Sequence, residues 1–157
     1  MIVAVEEAGL AVEDIIPAPL AAARALLSKR QREVGAAVLD IGAETTSLAI
    51  FEDDLPYSLS VQAVGSNHIT NDIALGFQMP LQEAERIKLT ADFPEDSNHA
   101  KRKFVDIVEA RLEDMFESVQ THLKKVGRAG LLPGGVVIAG GGARLGGIAD
   151  FAKDSLK

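Results

Sequence analysis

Cysteine is absent from all 157 residues, which excludes disulfides and thiolate metal sites and leaves a reducing compartment open. Histidine is scarce. His68, His99 and His122 have no metal-ligand spacing among themselves and read as surface or helix-end residues. Long apolar runs are missing too: residues 20–27 are interrupted by Arg24 and too short to span a bilayer. The first six residues lack the basic stretch that opens a signal peptide. Positive charge is the minority sign, with 16 basic against 23 acidic residues and a net charge of −7. That balance argues against a general nucleic-acid or anionic-membrane surface. Two local basic clusters, Lys29-Arg30-Gln31-Arg32 and Lys101-Arg102-Lys103, read either as solvated faces or as sites for an acidic peptide. No internal repeat or low-complexity tract occurs.

What remains is enough for one well-buried core, or one core with a small appended lobe, at 47% hydrophobic residues. Residues 1–9 read as a helix tail closed by Gly9. Residues 12–16 read as a short strand, and the Pro17-Ala18-Pro19 reset leads into a helix over 20–28. Charged residues 29–33 then form a surface connection. Three strands follow at 36–41, 47–51 and 57–63, with Asp53-Asp54 as the turn between the last two. Ser66 or Asn67 caps a helix with Ile69, Ile73 and Phe77 at helical spacing. Pro80 sits in the first turn of the next helix, which ends near residue 90. Polar residues 91–100 form a loop. A long helix over 104–126 stripes Phe104, Val108, Met115, Val119 and Leu123 on one face. A short strand at 136–139 runs into glycines, then into a helix with Leu145, Ile148, Phe151 and Leu156 on one side.

Two motifs carry chemistry. The first is Asp40-Ile41-Gly42-Ala43-Glu44-Thr45-Thr46, between the first two strands. A turn glycine lets the backbone approach a ligand, and consecutive N–H groups there cradle an anion. A Thr hydroxyl adds a donor, and a carboxylate can order a water on a bound metal. This is the chemistry of a phosphate hairpin, with an ordinary hairpin turn as the alternative. The second is Gly140-Gly141-Gly142-Ala143 after the last strand, where backbone meets a nucleotide at the carboxyl edge of a sheet. A tight strand-to-helix turn without ligand is the alternative there.

Taken together, and in this order, the two motifs resemble the second phosphate loop and the adenosine loop of the actin/Hsp70/sugar-kinase superfamily. The stretch from Gly65-Ser66-Asn67-His68-Ile69-Thr70-Asn71-Asp72-Ile73-Ala74 to Glu83-Ala84-Glu85-Arg86-Ile87-Lys88 narrows the match. With residues 107–116 and 130–137, and the opening 6–21, it resembles the bacterial cell-division FtsA family over nearly the whole chain. The resemblance implies an α/β, ribonuclease-H-like actin-superfamily domain: a mixed sheet with flanking helices plus a small, mostly helical lobe. Residues 1–65 and 128–157 would form the second large subdomain, incomplete at both ends, and 66–127 the inserted lobe. The family usually carries a β-ribbon where this chain has only residues 91–102, so that lobe is expected to be abridged.

The resemblance also assigns roles. Asp40 would act on the water shell of Mg²⁺, while Gly42, Ala43, Glu44 and Thr45 would line the ATP phosphates. Glu44 stands where the family commonly has Gly, and a carboxylate beside a triphosphate is costly unless it faces solvent or the metal. Gly140, Gly141, Gly142 and Ala143 would pass under adenine and ribose. Glu85 and Lys88, one helical turn apart, would reach the ribose hydroxyls or else form a surface ion pair. Lys103 and Arg111 match positions with which relatives hold the acidic C-terminal tail of FtsZ, pairing with helix neighbours such as Asp106, Glu113 or Asp114 being the other reading. The implied function is a nucleotide-binding adaptor that links FtsZ polymers to the inner face of the cell membrane and assembles into filaments. Membrane contact would come through a C-terminal helix absent from this chain, and no nucleic acid is involved. A PilM-like pilus-assembly scaffold shares the D-I-G-A loop and the E-A-E-R-x-K helix, but the H-I-T-N-D-I-A and G-L-L-P-G-G-V-V segments favour FtsA. An ATP-hydrolysing kinase-type enzyme of the superfamily is a third reading, for which no sugar-binding motif is present. The chain supplies one wall of a cleft, and phosphoryl transfer needs donors on both sides. By itself it is expected not to hydrolyse ATP.

Overall fold

The computed structural model describes residues 2–93 and 98–156. Four strands, β1 (Ala36–Ile41), β2 (Thr46–Glu52), β3 (Leu55–Gln62) and β4 (Val136–Ala139), form one mixed sheet in the order β3-β2-β1-β4. The first three are antiparallel neighbours, and β4 runs parallel to β1. Five of six residues of β1 and six of seven of β2 are buried. Strands covered on both faces read as continuous apolar runs, which is why these two are visible in the sequence. Asp53 and Asp54 both take positive φ, +52° and +60°, the pair of left-handed residues that a two-residue hairpin turn requires.

After a short first helix, α1 (Ile2–Glu7), helices cover both faces of the sheet. On one side α2 (Ala18–Leu26) lays Ala23, followed by Leu27, against Ala36, Val38, Ala49 and Phe51. On the other side Leu39, Ile41, Leu48 and Ile50 meet α4 (Ser66–Phe77), α6 (Asn98–Lys125) and α7 (Ile148–Ser155). These contribute Ile69 and Ile73, then Val108, Met115 and Val119, then Ile148. Alternation along the strands sends neighbouring residues to the two layers, so one sheet serves both. Residues 66–127 carry α4, α5 (Leu81–Thr90) and α6, and α4 and α6 line the same buried cluster as the sheet. No helix among the described residues is long and apolar enough to cross a membrane.

Four local expectations are corrected. Residues 29–33 are not a plain connection but belong to α3 (Lys29–Val34), which opens on a Ser28–Gln31 capping box. No strand forms over 12–16. Leu10, Ile15 and Ile16 stay exposed, and a strand without a partner edge leaves its backbone groups unpaired. Helix α4 is capped by Gly65, whose N–H donates to His68 Nδ1 at 3.2 Å, rather than by Ser66 or Asn67. Helix α6 begins at Asn98, six residues ahead of the expected 104. Its first turns are held by packing: Phe104 meets Phe93 edge-on at 5.4 Å, and Lys103 stands over the Phe77 ring at 5.1 Å. Residues 94–97 of the expected loop lie outside the described residues.

Arg32 of α3 donates to Asp54 Oδ1 at 2.6 Å and to the Leu27 carbonyl at 2.7 Å, tying α2 to the β2–β3 turn. The Arg32 guanidinium holds the Asp54 carboxyl below its ordinary value. A carboxyl lowered in the folded state contributes stability above its unfolded pKa and loses it as pH falls through the folded value. Asp54→Asn is therefore expected to lower the melting temperature at pH 7 and to make less difference at an acid pH below the lowered folded value, where the wild-type carboxyl has taken up its proton as well. Parallel melts at the two pH values check this. A gap of the same size at both would assign the effect to the turn rather than to the charge.

Candidate functional site

Parallel pairing of β1 with β4 decides where the two motifs go. Leu39 faces Ile138 and Asp40 faces Ala139, so both strands end at the same edge of the sheet and both glycine segments leave from it. Gly140 takes φ +83°, and a Cβ there would overlap Asp40 Oδ1 and the Ile41 carbonyl. A Cβ on Gly142 would overlap the Ile41 side chain. These two glycines exist to let the second motif lie on the first. Gly141 differs: nothing stands within 4 Å of its missing Cβ. It faces open space at the start of a single 3₁₀ turn, Gly141–Arg144.

The hairpin turn closes with Gly42 N–H donating to the Thr45 carbonyl at 2.8 Å. The start of α4 grips it from the side. Ser66 N–H donates to the Gly42 carbonyl and Asn67 N–H to the Ala43 carbonyl, each at 2.9 Å. No cis peptide occurs among the described residues, and in a trans peptide C=O and N–H point opposite ways. With both carbonyls turned onto α4, the amides of Ala43 and Glu44 are aimed away from it. Neither finds an acceptor among the described residues. Two successive free amides on a glycine turn make an anion-binding concavity, and exposed Thr45 stands beside them. Glu44 accepts from Asn67 Nδ2 at 2.5 Å, which draws its carboxylate to the N-terminus of α4, the end favourable to negative charge.

Gly65 is a residue the sequence reading did not place in the site. A Cβ on it would stand 2.5 Å from the Ala43 carbonyl oxygen, so only glycine lets α4 close on the turn. A glycine at an N-cap followed by Ser66 and Asn67, both better capping residues, is the signal that marks it.

A cavity of about 810 Å³ opens beside this edge, lined by Ile41, Ile69, Glu85, Lys88, Gly141 and Gly142 among others. The Glu85–Lys88 pair of α5 and two glycines of the triple share its lining. Its size suits a bound small molecule. Lys88 is no surface partner. Its side chain is 6% exposed, and Nζ sits 2.7 Å from Glu85 Oε2, 2.9 Å from Thr70 Oγ1 and 3.2 Å from the Ser66 carbonyl. Thr70 Oγ1 also donates to Glu85 Oε2, at 2.5 Å. Burial pushes the Glu85 carboxyl up, but the hydrogen bonds from Lys88 and Thr70 outweigh it and hold the group below its ordinary value. Ala143 lines a different cavity of about 640 Å³, beside Val136, Ile138 and Ala152.

The two candidate partner-binding cations of α6 both turn towards α4. Arg111 makes a bidentate pair with Asp72, Nε to Oδ2 at 2.6 Å and Nη2 to Oδ1 at 3.0 Å, with Asp114 at 3.4 Å. Lys103 donates to the Gly76 carbonyl at 2.5 Å. Of the helix neighbours expected for them, Asp114 is found; Asp72 was not foreseen.

Comparison with known proteins adds identity to this geometry. The family model of the cell division protein FtsA matches residues 37–157. Cell division protein FtsA of Bacillus subtilis (strain 168) is 36% identical over 172 aligned positions, covering 98% of this chain and 39% of that protein. The chain thus spans about two fifths of the length of the curated relatives it matches. That alignment has more positions than the chain has residues, so the relative carries insertions. Among solved structures, a PilM–PilN type IV pilus biogenesis complex superposes with a TM-score of 0.78 at 28% identity, over 98% of this chain and 43% of the matched one. MreB5 of Spiroplasma citri bound to ADP superposes with a TM-score of 0.74 at 20% identity, over 96% and 55%. The fold is actin-like, and by its family match and its relatives the chain belongs to the FtsA family of cell division proteins.

Proposed function

We propose that this chain forms one wall of the nucleotide cleft of a cell-division adaptor that links FtsZ polymers to the membrane and assembles into filaments. The observation that carries the reading is the pair of free amides at Ala43 and Glu44, aimed by α4 beside the triple glycine and its cavity. In the bound state these amides and Thr45 take the β- and γ-phosphate oxygens of ATP. Asp40 meets the water shell of Mg²⁺, an ion that keeps several waters and leans on one or two carboxylates plus the phosphates. Gly140, Gly141 and Gly142 pass under the nucleoside, with Ala143 behind them, and the ribose lies towards Glu85. On the family pattern, residues 1–65 with 128–157 make the large subdomain and 66–127 an insertion that shares its core. Lys103 and Arg111 are the proposed contacts for the acidic FtsZ tail. Membrane contact is assigned to a helix outside this chain. A pilus-assembly scaffold is the second reading, favoured by the PilM–PilN likeness, and the family match over residues 37–157 weighs against it.

The test is Gly141→Val in the full-length protein. Because nothing lies near the missing Cβ, the fold should tolerate the side chain while the cleft does not. The expected result is an unchanged melting temperature with ATP affinity lowered at least about tenfold, read by calorimetry. Unchanged affinity in the folded variant would take the nucleotide away from this edge. The isolated chain, with donors on one side only, is expected to release no phosphate above buffer background. Turnover that Asp40→Ala abolishes would refute that.

A further inference from the structure

Lys88 has no donor left for a ligand. An ammonium carries three N–H groups, and three acceptors surround this one: Glu85, Thr70 and the Ser66 carbonyl. Glu85 is the member of the pair with room, its side chain 41% exposed at the cavity. The hydrogen bonds it makes among the described residues fall on Oε2. The Ser66 carbonyl belongs to the peptide unit whose N–H is that of Asn67, and that N–H holds the Ala43 carbonyl of the phosphate turn. A cation on the oxygen of a peptide polarises it and strengthens the donor at its other end.

From this arrangement, which rests on the nucleotide reading above, we infer that Lys88 is a positioning residue and Glu85 alone the ribose acceptor. Through the single peptide 66–67, Lys88 ties the nucleoside end of the cleft to the turn that aims the Ala43 and Glu44 amides. Its removal should therefore be felt at the phosphates, while discrimination at the ribose hydroxyls, set by Glu85, persists.

The experiment uses the full-length protein with Lys88→Met, which keeps the length of the buried stem and loses the charge. Without nucleotide, amide hydrogen exchange at Asn67 should quicken about tenfold, with the β2 amides of Ala49 and Ile50 unchanged. With nucleotide, the preference for ATP over AMP should fall by about the same factor, while the preference for ATP over 2′,3′-dideoxy-ATP is kept. The reverse pattern, hydroxyl preference lost and phosphate preference intact, would make Lys88 a ribose contact and overturn the inference. So would unaltered exchange at Asn67. Wild-type protein that binds neither ATP nor AMP sinks the nucleotide reading and with it the ligand half of the inference, a distinct result because the exchange arm needs no ligand. Should Lys88→Met fail to fold, Lys88→Gln keeps two donors without the charge and is read the same way with smaller shifts.

Discussion

Gly140→Ala is expected to cost about 2–5 kcal/mol of stability, while Gly141→Ala one residue later costs less than about 0.5 kcal/mol. At Gly140 two penalties combine. Its φ of +83° is a conformation L-residues avoid, and the new methyl would overlap Asp40 and the Ile41 carbonyl. The Asp40 carboxylate can turn aside, but the Ile41 carbonyl is backbone at the end of β1, where Ile41 is paired with Thr46, and it cannot retreat without disturbing the strand. At Gly141 the φ is ordinary and the space is open. Gly65→Ala should fall nearer the first case, for reasons of space alone, since its φ of −150° suits any residue. Urea titrations with a common m-value read the differences directly. Equal loss at positions 140 and 141 would mean that the triple glycine is not seated on the end of β1.

The parts of this fold that were legible in the sequence are those decided locally. Strands β1 and β2 announce themselves as runs of apolar residues because both faces are covered, and Asp53-Asp54 declares its turn through residues that tolerate positive φ. Helix α3 was missed because Lys29-Arg30-Gln31-Arg32 shows no apolar period. Its capping box, Ser28 with Gln31, was nonetheless present to be read. The apolar pair Ile15-Ile16 suggested a strand, and what a strand also needs, a neighbouring edge, is not a property of the segment. In the site, the two motifs and their order were readable, but their union depends on parallel pairing of strands a hundred residues apart. Lys88 shows the limit well. Its spacing from Glu85 put both on one face, whereas its burial comes from Ser66 and Thr70, on another helix.

On the proposal that Lys103 and Arg111 hold the acidic FtsZ tail, Arg111→Glu combined with Lys103→Glu is expected to weaken tail binding by two orders of magnitude or more, and the contacts of Arg111 add a second consequence. Along α6 the two residues are separated by about 12 Å, which suits a short peptide with one carboxylate for each cation. Arg111 already has one: Asp72 holds it bidentately, and that carboxylate raises the guanidinium pKa. The pair is only partly exposed, 28% for Arg111 and 27% for Asp72, so it contributes about 2 kcal/mol after solvent screening. Reversing Arg111 leaves Glu facing Asp72 across the α4–α6 contact, and the double variant should lose stability as well as affinity. Loss of tail binding alone therefore does not separate contact from collapse. Asp72→Asn does. If the tail engages Arg111 it must compete with Asp72, so Asp72→Asn should bind an acidic tail peptide more tightly than wild type, with steeper weakening by salt, although the variant is itself less stable. Affinity that falls together with stability in Asp72→Asn would make Arg111 a fastener between two helices and move the partner site elsewhere.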